Sequence, residues 1–116
     1  MAYRRNDLRT RGIFSAAELT RQPDGRRVSA AGCVIARQRP GTALGFIFLS
    51  LEDETGIGNI IIHPDLYEQD RALITREKFL LVTGKLQNQD GVAHVKAEVV
   101  APLRAADVAV RSHDFH

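Results

Sequence analysis

The chain has 116 residues, 44% hydrophobic and 26% charged, with a formal net charge of +2 and a single cysteine, Cys33. That length and balance suit one globular domain with its own core, and one cysteine excludes an internal disulfide framework. The longest apolar run, Ile60-Ile61-Ile62, is broken by His63-Pro64, far short of a membrane span, and no apolar stretch follows Met1-Ala2-Tyr3-Arg4-Arg5. The expectation is a cytoplasmic protein in a reducing setting, with no membrane partner. The first 27 residues hold seven arginines (4, 5, 9, 11, 21, 26 and 27) against Asp7, Glu18 and Asp24, an excess of four positive charges. Two readings of this arm stay open: contact with a phosphate backbone, or a solvated or partner-docking segment.

Residues 1–14 have no clear period and read as an extended lead-in. Ser15-Ala16-Ala17-Glu18 is a capping box, in which a serine accepts from a helix amide and a glutamate reaches back. It predicts a helix of about two turns, stopped by Gln22-Pro23-Asp24-Gly25 and able to plug one end of a barrel. From Arg27 the period becomes two, giving a long strand to about Arg37 with both faces partly apolar; Gly32 suggests a bulge or bend at a barrel corner. Strands follow at about 46–52 and 58–63, joined by the turn Asp53-Glu54-Thr55-Gly56. His63-Pro64-Asp65 opens a helix whose apolar side is Leu66, Tyr67, Ala72, Leu73 and Ile74. Strands at about 79–87 and 92–100 flank the loop Gln87-Asn88-Gln89-Asp90-Gly91, with Asp-Gly as its turn.

This order predicts an all-β architecture: a five-stranded Greek-key OB-fold barrel with a helix between strands 3 and 4 and a short N-terminal helix. The expected layout is a basic arm with a short helix at 1–26, the barrel at 27–103 and a tail at 104–116.

The same pattern nominates a binding face. If Ile47, Leu49 and Leu51 point inward, Phe46, Phe48, Ser50 and Glu52 point outward. Exposed rings invite base stacking, although either phenylalanine could instead fill a barrel end or pack under the first helix. Arg37 and Arg39 flank the first loop and can hold phosphate or stack on a base. Asn59 carries a donor and an acceptor suited to a base edge, and Lys85, His94 and Lys96 are candidate backbone contacts near the second loop. Glu52, Asp53 and Glu54 would repel a phosphate chain and are expected at the far rim, shaping the turn.

Catalytic groupings are missing. Histidines 63, 94, 113 and 116 are scattered, the lone cysteine gives no zinc spacing, and Gly56-Ile57-Gly58 leads into strand residues rather than a phosphate-binding helix. A non-enzymatic protein without metal or cofactor is expected.

Several runs carry a family resemblance: Val28-Ser29-Ala30-Ala31-Gly32-Cys33-Val34, Arg37-Gln38-Arg39-Pro40-Gly41-Thr42-Ala43, Leu49-Ser50-Leu51-Glu52-Asp53-Glu54-Thr55-Gly56, Val82-Thr83-Gly84-Lys85-Leu86-Gln87 and Asp114-Phe115-His116. Together they resemble the C-terminal OB-fold region of the bacterial error-prone DNA polymerase III alpha-type subunit, over nearly the whole chain. His113 departs from that family, which usually shows arginine there, and the family's catalytic carboxylates and phosphoesterase-like histidine domain lie upstream of this region. The Leu-Glu-Asp-Glu-Thr-Gly run is shared with anticodon-binding OB-folds, and by that similarity Phe48 takes a base-stacking position and Asn59 a base-edge position. The resemblance implies a non-catalytic module binding single-stranded DNA in translesion DNA replication or repair. A protein-interaction module docking a polymerase or mutasome-type accessory factor is the alternative reading, and tRNA or RNA binding a third.

Overall fold

The computed structural model describes residues 13–39 and 45–103. The expectations for the start of the basic arm, for the loop at 40–44 and for the tail lie outside the described residues. In chain order the elements are β1 (Ile13–Phe14), α1 (Ala16–Leu19), β2 (Arg27–Gln38), β3 (Ile47–Asp53), β4 (Gly56–Ile62), α2 (Pro64–Gln69), α3 (Arg71–Arg76), β5 (Phe79–Gln89) and β6 (Val92–Pro102). The strands pair in the order β2-β3-β4-β6-β5, and β5 returns to β2, closing five strands into the expected barrel. Within the barrel only β4 and β6 run parallel.

Closure depends on β2 serving two neighbours. It pairs with β5 over Arg27–Cys33 and with β3 over Cys33–Gln38, so Cys33 bonds to both sides of the corner. Gly32 is needed there because a Cβ would sit 2.6 Å from the Glu52 carbonyl oxygen. The bulge itself falls beyond Gly32: the register shifts between Val34 and Ala36, leaving Ile35 out of the ladder and 46% exposed. Gly84 is under a tighter constraint, one that the alternation of β5 does not announce. A Cβ there would lie 1.9 Å from the Lys96 carbonyl oxygen, beside a second register shift between β5 and β6.

Alternate residues of every barrel strand fill one core. Ile47, Leu49, Leu51, Ile60, Ile62, Leu80, Val82, Leu86 and Val95 are nearly or fully buried, each side chain contributing about 1.5–3 kcal/mol on transfer from water. Two helices cap the barrel. Leu19 of α1 joins the core beside Gly58, and Ile74 of α3 joins it near Ile47, at the opposite end of β3.

Three departures from the sequence pattern have local causes. β1, which the lead-in reading lacked, exists because β3 pairs with β2 only from Cys33 onward. The first half of β2 thus has a free edge, and Ile13–Phe14 adds to it in parallel at Ser29–Ala30. Ile13 then packs with Ala31, Leu81 and Leu103 in a small outer cluster. The helix α1 is one turn, not two, since its capping box closes around only four residues before Thr20. The predicted single helix is two, because Asp70 leaves helical geometry (φ −113°, ψ 27°). Ala72 is exposed as a result and does not share the apolar side with Leu73 and Ile74.

Candidate nucleic-acid interface

On β3 the alternation falls as the pattern requires: Ile47, Leu49 and Leu51 are buried, Phe48 and Ser50 half-buried, and Glu52 exposed. Strand register carries this outer set sideways across the barrel. One row runs Gln38, Phe48, Ile61, Lys96, Lys85 and Arg27, each directly opposite the next on its neighbouring strand. A second row runs beside it: Ser50 opposite Asn59, Asn59 opposite His94, and His94 opposite Gln87. The first joins a half-buried ring to exposed cations; the second offers hydroxyl, amide and imidazole groups. A ring on the same face as exposed cations and amide groups is chemistry that a single-stranded nucleic acid can use.

Six of the residues nominated from sequence, Phe48, Ser50, Asn59, Lys85, His94 and Lys96, thus share one surface. The other three, Arg37, Arg39 and Phe46, sit toward the helix end, with their side chains already engaged. The Arg37 guanidinium donates from Nε to the Ile74 carbonyl (2.8 Å) and from an Nη to the Glu77 carbonyl (2.9 Å). It therefore satisfies carbonyls left open at the C-terminus of α3, where a cation is electrostatically favoured. Arg39 stacks over the Tyr67 ring at 5.2 Å, and the Phe46 ring meets His63 edge-on at 5.2 Å. These contacts hold the first loop's base against α2 and α3. A cleft of about 200 Å³ lies among Arg37, Gln38, Arg39, Tyr67 and Ile74.

A second cleft of about 300 Å³ lies at the β5–β6 hairpin, beside the loop at 87–91 that the sequence reading expects to close over a bound strand; of its lining residues Gln87, Gln89, Asp90, Val92 and His94, only His94 is nominated individually. The Asp-Gly turn contained the signal. A two-residue loop at Asp90-Gly91, both at positive φ (54° and 79°), forces Gln89 opposite Val92 and Gln87 opposite His94.

The acidic turn is absorbed by the architecture. Asp53 Oδ2 accepts from the Ala16 amide (2.8 Å), and its Oδ1 accepts from the Thr55 amide (2.7 Å) and hydroxyl (2.6 Å). The Thr55 hydroxyl oxygen accepts in turn from the Ala17 amide (3.0 Å). Two orphan amides at the start of α1 are met from the β3–β4 turn, so the acid at the rim does shape it, as its turn pattern suggested. Among the described residues no grouping of three or more histidine, cysteine or acidic side chains could hold a metal, and no helix is long and apolar enough to cross a membrane.

Residues 105 long in extent align at 47% identity with a protein named error-prone DNA polymerase from Anaeromyxobacter dehalogenans, covering 90% of this chain and 9% of that protein. Its namesake from Mycolicibacterium paratuberculosis is 46% identical over 96% of this chain and 10% of its own length. The chain thus spans about a tenth of the curated relatives it matches. In three dimensions it superposes on asparaginyl-tRNA synthetase from Pyrococcus horikoshii with a TM-score of 0.66, at 24% identity, over 79% of this chain and 23% of that one; this is a likeness of fold. The model of the tRNA anti-codon family, described as an OB-fold nucleic acid binding domain, matches residues 28–103. With that match covering the barrel, this chain belongs to the OB-fold nucleic acid binding domain family.

Proposed function

We propose that the chain is a non-catalytic, cytoplasmic module that binds single-stranded DNA within the C-terminal region of an error-prone, translesion DNA polymerase. The observation that carries this reading is the row in which the half-buried Phe48 ring lies in line with Lys96 and Lys85, with the row of Ser50, Asn59, His94 and Gln87 alongside. A base stacks on Phe48, amide and imidazole groups meet base edges, and lysines hold phosphates. Stacking tolerates any base, so sequence preference is slight and salt sensitivity marked. The polymerase names of the relatives favour DNA over tRNA as the strand.

Titration of a labelled oligothymidylate tests it. Phe48→Ala is expected to cost about 1–3 kcal/mol of binding, roughly five- to 150-fold in affinity, while thermal stability stays close to wild type. Unchanged affinity would remove the stacking role. Tighter binding to structured RNA than to the oligothymidylate would favour the tRNA reading.

A second reading, docking of a polymerase accessory protein, draws on Ile57 and Val92, which are 52% and 56% exposed. They lie two residues before Asn59 and His94 on their strands, so they border the same face. Salt separates the two readings. DNA affinity falls steeply as salt rises, whereas an apolar contact hardly responds.

A further inference from the structure

We infer that the charge-free outer wall formed by β2, β5 and β6 is a docking surface, and that its occupant is segment 104–116 of this same chain. The outward side chains change character past the row of Arg27, Lys85 and Lys96. β2 holds no charged residue between Arg27 and Arg37, β5 none after Lys78 until Lys85, and β6 none from Val99 to Pro102. Leu80 and Val82 point into the core, so Phe79, Leu81 and Thr83 point outward. Ala31, Leu81 and Ala101 stand opposite one another in one row, with Cys33 and Phe79 in the next. The polar pair beside them is self-contained, since the Ser29 and Thr83 hydroxyls bond to each other at 2.7 Å. Val99, opposite Thr83, is 51% exposed, and Leu81, Cys33 and Phe79 are only half-buried.

Size and position pick out the occupant. The rows cover about 14 Å along the strands and about 10 Å across them, far less than the roughly 800 Å² per partner of a stable complex. Separate molecules gain too little from such an area, whereas a tethered segment acts at a local concentration in the millimolar range. The tether is at the wall: Leu103 packs with Ile13, Ala31 and Leu81, and its amide donates to the Phe79 carbonyl (3.0 Å). Residues 104–116 follow from that point and, extended, reach up to about 40 Å, enough to cross the wall. Their sequence suits it. Val108 and Val110 fall on one side of an extended segment, Asp107 and Arg111 on the other, and Phe115 adds a ring. The residues before Ile13 join the chain at the same cluster but bring arginines 4, 5, 9 and 11, which are costly to desolvate against an apolar wall.

The wall contains its own probe, because Cys33 is the single cysteine of the chain. Its alkylation by iodoacetamide is followed in the native full chain for wild type, Val108→Asp/Val110→Asp, Val99→Glu and the combination of all three. The tail variant is expected to react roughly threefold faster or more, as a segment held by its tether is released. Val99→Glu, at an exposed position, should give a similar rise, and the combination no more than either, because both remove the same contact. Far-UV circular dichroism and a cooperative urea transition check that the barrel is intact in each variant. Equal rates in wild type and the tail variant would overturn the proposal. So would a wild-type rate that slows as protein concentration rises, which assigns the wall to a second copy. No nucleic acid enters the measurement, so failure of the DNA reading and failure of this one are separate results.

Discussion

The barrel's two tight hairpins make opposite use of charge. At the β3–β4 turn, Asp53 accepts three hydrogen bonds, and together with Thr55 it fixes the first turn of α1 over the barrel end. Leu19 follows into the core, so this end is sealed. At the β5–β6 hairpin Asn88 is tied to Thr20, Gln22 and Asp24 by three hydrogen bonds, but the turn itself stays open: Gln89, Asp90, Gly91 and Val92 are exposed beside a cleft, and Lys85 stands opposite Lys96 further down the ladder. Charge that is consumed by internal bonds belongs to the fold. Charge with no internal partner is available for binding.

The most severe way to break this contrast is Gly84→Ala. The new methyl carbon would fall 1.9 Å from the Lys96 carbonyl oxygen, and backbone on both sides leaves no flexible group to yield. A loss at or above about 3 kcal/mol is expected, read as a fall in the urea midpoint. A variant as stable as wild type would show that β5 and β6 do not approach this closely. Asp53→Ala is the next in size. It removes the acceptor for the Ala16 and Thr55 amides and should cost about 0.5–2 kcal/mol, as other helix-start caps do. Oligothymidylate affinity should stay within about twofold, because that carboxylate is spent at the rim rather than on the face. A large change in binding would put the sealed end into the interface and dissolve the distinction between the hairpins.

Much of this arrangement was readable from local pattern, and what escaped has a common cause. The capping box, the alternation of Ile47, Leu49 and Leu51, and the Asp-Gly turn are each written within a few residues, and each appears as the pattern implies. That turn even fixes Lys85 opposite Lys96 by simple counting. The parallel pairing of β4 with β6, which brings Asn59 beside His94, has no local signature. Nor does the fate of Arg37: its guanidinium serves carbonyls at Ile74 and Glu77, reached only after the barrel closes. Residue type nominated a cation there, but only the tertiary fold decides whether that cation is still free.

The smallest expected effect has the opposite sign from the others. If the Lys85–Lys96 pair is strained, Lys85→Gln alone should raise stability by about 0.2–1 kcal/mol, because a neutral residue then faces Lys96. Lys96→Gln should give a similar gain. The double variant should add little to either, since the first substitution already relieves the repulsion, and that non-additivity is the signature of direct coupling. High salt should shrink the gain by screening the exposed pair. Additive or destabilising single effects would mean that the two ammonium groups splay apart into solvent and that neither is held at a cost. The contrast with Asp53 then reduces to position alone. Single gains that the double variant keeps without increasing would instead establish that the second hairpin gives up stability for the charge it presents.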